Sequence, residues 1–292
     1  MTRPPVHTVH VFTDGPGGGN PAPIVLDASD MTAAEMQRVA QQHGHESGFV
    51  VPSDDDDDVD FRLRLWMPSQ EVSMCGHVTV GTVWLMHRLG LLRSRDLRIG
   101  TASGVVRARV SGDGEVEIAQ PAGALECLDS SLAAEVVAAL GLTAEDLAGL
   151  PIRNASTSRT KTLIPLASPD VLDALAPDPP RVAAVCALAE STGLYPWVVR
   201  DRGARLFEAR QFPRSSGYPE DAATGVAAAA LAYGLLADGL VDGPADGLGA
   251  AADAATAAPI RVQQGRAMGR PSEIRIRWRE PRGVWLGGAV RA

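Results

Sequence analysis

Met74-Cys75-Gly76-His77-Val78-Thr79-Val80-Gly81-Thr82 opens one apolar stretch of the chain, and Glu220-Asp221-Ala222-Ala223-Thr224-Gly225-Val226-Ala227 opens another. A shift of 221 minus 75, or 146 residues, lays the second on the first: Val80 then meets Val226, Leu85 meets Leu231 and Leu89 meets Leu235. Segments apolar on every side read as helices enclosed by other structure, so the pattern predicts two buried helices, each central to its own half-chain. The longer run, Val226 to Ala237, is stopped by Asp238 well short of the ~20 residues that a membrane span requires.

Outward from these helices the pattern alternates between strands and short helices. Val6 to Thr13, the glycine-rich turn Gly15 to Asn20 and Ala22 to Leu26 read as strand, loop and strand. Thr32 with Glu35 three residues on is a capping-box pattern, Met36, Val39 and Ala40 form an apolar stripe, and His43-Gly44 should end that helix. His45-Glu46-Ser47 begins the next strand, and Phe61, Leu63, Leu65 and Met67 alternate with Arg62, Arg64 and Trp66 as a half-buried one. Asp54 to Asp58 between them reads as a solvated hairpin tip, because adjacent carboxylates repel. Leu97 to Ile99, Val105 to Val110 and Val116 to Ala119 continue as strands, with Gly112-Asp113-Gly114 as a turn. A helix at Leu132 to Leu140 opens the second half. Strand-like runs follow at Thr162 to Leu166, Pro196 to Arg200, Arg205 to Phe212, Ile260 to Gln263, Ile274 to Trp278 and Val284 to Leu286, with Ala237 to Ala257 as a loop or short helix. The class is α+β.

Composition excludes several functions. Of 292 residues, 45% are hydrophobic and 21% charged, which fits globular protein rather than fibrous or disordered chains. The sum of 27 basic and 35 acidic residues is −8, with no Lys/Arg cluster to track a phosphate backbone, so no nucleic acid and no membrane is expected as a partner. Lys161 is the single lysine, which removes a Gly-Lys-Ser/Thr phosphate loop. Cys75, Cys127 and Cys186 lack zinc or disulfide spacing, Cys127 and Cys186 reading as core or helix-face residues. With no signal-peptide pattern in the opening residues, a reducing cytoplasm is expected.

A Gly/Thr-rich loop before an apolar helix leaves backbone N–H groups free, and the helix dipole adds roughly half a positive charge there. Two such ends suit a small carboxylate and charge developing on a conjugated carbonyl. Glu46, Cys75, His77 and Asp221 are the nearby residue types able to carry protons. His43, His45, Glu46 and His77 lack helical metal-ligand spacing, so no metal is expected.

Gly19-Asn20-Pro21, Met36-Gln37 with Ala40, His45-Glu46-Ser47-Gly48-Phe49, Cys75-Gly76-His77-Val78-Thr79 with Gly81-Thr82, Arg210-Gln211-Phe212 and Glu220 to Gly225 occur in an order that resembles the PhzF-like isomerases of phenazine biosynthesis, within the diaminopimelate epimerase fold superfamily. The resemblance implies two similar lobes, each an antiparallel sheet curved around a central helix: residues 1–118, which the terminal strand near 282–292 could complete, and residues 119–281. It implies an active site in the cleft between them, no cofactor, a homodimer and a biosynthetic role in secondary metabolism. Glu46 matches the family's catalytic glutamate, which moves a proton between carbons of a conjugated substrate. His77 and Asp221 match proton-relaying positions, and Cys75, Gly76, Thr224, Gly225 and Val226 match substrate contacts. Two departures stand out. Val226 replaces the serine of many relatives, which points away from the phenazine precursor. Asp221 stands where the racemases of this fold place a second cysteine, which disfavours a two-thiol mechanism. An amino- or imino-acid racemase using Cys75 and a non-catalytic ligand-binding relative are the alternatives.

Overall fold

The computed structural model describes residues 4–53, 58–243, 258–279 and 283–292. The chain divides into two compact units: Met1–Ala119 with Gly287–Ala292, and Gln120–Leu286.

In the first unit β1 (His7–Val11) and β2 (Asn20–Val25) pair antiparallel. The helix α1 (Ala33–His43) crosses over, so β3 (Ser47–Val51) runs parallel to β2. β4 (Phe61–Trp66) returns antiparallel and takes the short β5 (Glu71–Val72) at its end. α2 (Gly76–Arg88) makes the second crossover, to β6 (Asp96–Thr101), parallel to β4; β7 (Gly104–Val110) and β8 (Val116–Ala119) follow as a meander. The strand Val290–Arg291 pairs with β1. The capping box starts α1: Thr32 Oγ1 accepts the Glu35 N–H at 3.3 Å and Glu35 Oε2 accepts the Thr32 N–H at 2.9 Å. Gly44, at φ 68°, ends it, while Met36 and Ala40 pack on Val25, Phe49 and Trp66.

α2 lies against β1, β2, β3, β7 and β8, and two glycines let it come that close. A Cβ on Gly81 would fall 2.9 Å from the Cγ2 atoms of both Val9 and Val11, and one on Gly48 would fall 2.6 Å from Val78 Cγ1. Those distances are too short for carbon contacts, so His-Glu-Ser-Gly-Phe and Gly-Thr are in part packing motifs.

In the second unit β9 (Ala124–Cys127) precedes α3 (Ser130–Ala139) and pairs with β10 (Arg153–Ser156). β11 (Thr160–Pro165) is antiparallel to β10; α4 (Pro169–Ala174) and α5 (Pro179–Leu188) then lead to β12 (Gly193–Asp201), parallel to β11. β13 (Leu206–Ala209) returns antiparallel, and β14 (Phe212–Pro213) pairs with the start of β12. After α6 (Gly225–Ala237), β15 (Ile260–Gln264) runs parallel to β13 and β16 (Ser272–Trp278) antiparallel to β15. α6 packs on β9, β10, β11 and β16, and its Ala227–Ala230, Leu231, Ala232 and Leu235 are all buried.

The repeat is therefore one of topology. β1 to β7 of the first unit follow the same crossovers as β10 to β16 of the second, and the same pairings except that β5 pairs with β4 whereas its counterpart β14 pairs with β12; Val290–Arg291 stands to β1 as β9 stands to β10. Both central helices are thirteen residues long, and their first residues, Gly76 and Gly225, are 225 minus 76, or 149, apart. The 146-residue register correspondingly slips at the helices: Leu235 is buried, but Leu89 caps α2 with 52% of its surface exposed.

Other expectations are corrected. The sheets are mixed rather than antiparallel, because α1, α2, the α4–α5 pair and α6 each connect two parallel strands. Cys186 is buried on α5, but Cys127 is exposed on the strand β9. Glu46 precedes β3 rather than lying in it. Of the acidic run only Asp58 lies among the described residues, where it pairs with Arg98 at 2.8 Å; most of the run from 237 to 257 also lies outside them. No described helix is long and apolar enough to cross a membrane.

Candidate active site

Cys75 is the N-cap of α2, in extended conformation and without a side-chain cap bond, so His77 falls in the first turn. The imidazole is 5% exposed, and its Nδ1 lies 3.4 Å from Cys75 Sγ. Burial pushes the His77 pKa below the ordinary imidazole value; the Glu46 carboxylate and a backbone hydrogen bond to Pro21 act the other way, and His45 adds to the lowering. The outcome is a neutral ring within the field of a half-buried carboxylate. The Gly-Asn-Pro, His-Glu-Ser and Cys-Gly-His motifs thus meet at one place. Gly19, at φ 92°, makes the turn that delivers Asn20 and Pro21; a Cβ there would fall 2.7 Å from Thr13 Cγ2.

The α6 end is built differently. Arg210 forks onto Glu220, with Nε–Oε1 at 2.9 Å and an Nη2–Oε2 contact at 2.7 Å. Its other arm donates to the carbonyls of Leu172 at 3.0 Å and Leu175 at 2.7 Å, at the end of α4. This buried ion pair pins the segment that carries Asp221, whose N–H donates to the Gln211 carbonyl at 3.0 Å. Thr224, the N-cap, donates its hydroxyl to Asp221 Oδ2 at 2.6 Å.

Behind this loop sits Gln264, buried at the end of β15. Its Oε1 accepts from the Tyr195 hydroxyl at 3.0 Å and the Thr224 N–H at 3.2 Å; its Nε2 donates to the Asp221 carbonyl at 2.7 Å and Thr224 Oγ1 at 3.1 Å. Burial, helped by the Asp221 charge, pushes the Tyr195 phenol far above its ordinary range, so it stays a neutral donor.

The expected residues therefore form two groups, each within its own unit. Glu46, Cys75, Gly76 and His77 gather at the start of α2; Asp221, Thr224, Gly225 and Val226 gather at the start of α6. Gln264, Tyr195 and the Arg210–Glu220 pair escaped the sequence reading of the site. Arg210 and Glu220 did stand out as motif residues, but Gln264 lies 40 positions from Thr224 with no local signal.

Two topologically equivalent units, each centred on an apolar helix with polar chemistry at its start, make the fold of the diaminopimelate epimerase-like enzymes. Consistent with that, the chain is similar in fold to a chain described as a probable proline racemase from Agrobacterium radiobacter K84, with a TM-score of 0.58, 11% identity, and coverage of 98% of this chain and 90% of that one. The chain belongs to the phenazine biosynthesis-like (PhzC–PhzF) family, whose profile matches residues 9–289. It is 31% identical to the uncharacterized isomerase YddE of Escherichia coli (strain K12), over 99% of this chain and 96% of that protein. It is also similar to the crystal structure of a phenazine biosynthesis protein of the PhzF family from Bacillus anthracis, with a TM-score of 0.82, 26% identity, and coverage of 98% of this chain and 95% of that one. The protein is an isomerase of this family.

Proposed function

We propose that this isomerase shifts a double bond in a small conjugated carboxylate by moving one proton, with Glu46 as the group that takes and returns it. The observation that carries the reading is His77, a buried imidazole at a helix start that lies in the field of the Glu46 carboxylate. In the forward step a Glu46 oxygen forms the new O–H bond as a substrate C–H bond breaks. The electron pair passes into the conjugated system, where the carboxylate spreads the charge. Return of the same proton to another carbon of that system completes the shift with no net oxidant or reductant. His77 relays protons to and from Glu46, and the N–H groups at the start of α2 favour the substrate's negative charge. At the start of α6, Asp221, held by Thr224, is a second group able to carry a proton, with Gly225 and Val226 as ligand contacts. A biosynthetic role is part of the same reading.

The test is incubation of conjugated dienoic and enoic acids with the protein in deuterated water, followed by proton NMR. The wild type should displace a double bond, and Glu46→Gln should be slower by about 10²–10⁴-fold. Equal rates for the two proteins would end the proposal.

One observation favours a racemase as second reading: Cys75 Sγ lies 3.4 Å from His77 Nδ1, close enough for the ring to take the thiol proton. Solvent deuterium appearing at an unmoved stereocentre, abolished by Cys75→Ser and not by Glu46→Gln, would select it.

A further inference from the structure

We propose that Gln211 is a specificity-determining residue, its buried carboxamide reading a ligand group that presents a hydrogen-bond donor and acceptor side by side, as a second carboxamide or a lactam does. The inference rests on the reading above that a small carboxylate-bearing ligand contacts residues at the start of α6, and it names what else that ligand carries.

Gln211 is 1% exposed, and neither Oε1 nor Nε2 has a hydrogen-bond partner. Its neighbours in the Arg-Gln-Phe motif both have structural work: Arg210 holds Glu220 and the end of α4, and Phe212 packs in the core with Leu194 and Val198. Gln211 has none. The amide nevertheless has a place made for it, because it rests on Gly193, where a Cβ would fall 2.0 Å from Nε2.

Strand register shows where the amide faces. Gly193 pairs with Pro213, Leu194 with Phe212 and Trp197 with Ala209, so Tyr195 lies opposite Gln211 and the two side chains leave the sheet on one face. On that face the Tyr195 hydroxyl reaches Gln264, which holds Asp221 and Thr224. The Gln211 carbonyl also accepts the Asp221 N–H. The unpartnered amide therefore lies beside Gly193 on the face of the sheet from which Tyr195 reaches the Gln264 network at the start of α6.

A buried polar group without partners destabilises the folded chain, and an apolar residue of equal length would remove that penalty. A carboxamide offers an acceptor and N–H donors on adjacent atoms. A ligand carboxamide matches both in one cyclic pair of hydrogen bonds, whereas a ketone or a carboxylate supplies no donor.

Three probes of one length separate these cases by calorimetric titration: succinamate, 4-oxopentanoate and succinate. The wild type should bind succinamate at least about tenfold more tightly than either of the others, the worth of one good hydrogen bond. Gln211→Leu should reduce that preference to less than about twofold while keeping or raising Tm, and Gln211→Met repeats the measurement if the first variant does not fold. Equal affinities, binding of none of the three by the wild type, or a preference that survives in the variant overturns the inference. So does a fall in Tm, which would mark the amide as structural, held through a buried water. Titrating Glu46→Gln keeps the two proposals apart: the succinamate preference should persist there even if the proton-transfer reading fails.

Discussion

The starts of α2 and α6 hold equivalent places in the two units and are filled in opposite ways. At α2 the groups are a carboxylate, an imidazole and a thiol, whose protons can change owner. At α6 the direction of each resolved hydrogen bond is fixed: Tyr195 gives to Gln264, Gln264 to Asp221 and Thr224, and Thr224 to the Asp221 carboxylate. One topology thus supports a helix start that can exchange protons and another that holds a loop in a set shape. Local sequence decides which. The N-cap is Cys75 in one and Thr224 in the other, and the residue two further on is His77 in one and Val226 in the other.

The largest effect should come from loosening the fixed end. Arg210→Ala strands Glu220 and removes a donor from three carbonyls at the end of α4, and breaking a buried ion pair of this kind costs about 3–5 kcal/mol. Urea unfolding measures it, and a loss under about 1 kcal/mol would show that this end is not held as described. Gln264→Leu should come next, at about 2–3 kcal/mol, because it removes the hydrogen bonds that Gln264 makes with the Tyr195 hydroxyl, the Thr224 N–H and the Asp221 carbonyl. His77→Leu at pH 8 should stay within about 1 kcal/mol of the wild type, since a neutral buried ring is replaced by an apolar one. Equal losses for the two variants would erase the contrast between the ends.

Acid sharpens the comparison further. The folded His77 pKa lies below its unfolded value near 6.5, so the unfolded chain binds more protons between the two values. The stability contributed by the neutral ring is fully present above pH ~6.5 and is lost as pH falls below it. Denaturation midpoints from pH 8 to 5 should show this loss in the wild type and a flatter limb in His77→Leu. The smallest effect is electrostatic: Glu46→Gln removes the charge that favours imidazolium and should move the His77 titration still lower in ¹H–¹⁵N spectra. An unchanged midpoint would show that the two groups are not coupled.

Much of this was legible along the chain. The Thr32–Glu35 box and Gly44 bound α1 as their chemistry demands, and uniform apolarity in Val226 to Ala237 correctly marked a helix covered on all sides. The parallel pairs were not legible, since alternation of side chains shows that a strand exists and not which neighbour it takes. α4 and α5 were missed although Ser168 before Pro169 and Asp178 before Pro179 are helix starts of a familiar kind; both helices are short, and their apolar residues blend with adjoining strands. At the site, residues adjacent in sequence to the helix starts were readable. Gln264 and Tyr195 were not, because they reach the α6 loop through strand pairing across tens of residues.

The strand Val290–Arg291, which flanks β1, also bears on how the protein is made. The ribosome releases Met1–Ala119 long before those residues exist, so one edge of the first sheet stays bare while all of Gln120–Leu286 is translated. A strand edge left open for that time can pair with other chains. The second unit, whose equivalent strand β9 comes ahead of its partner, faces no such wait. Nascent chains halted before residue 287 should accordingly be those that most need a chaperone.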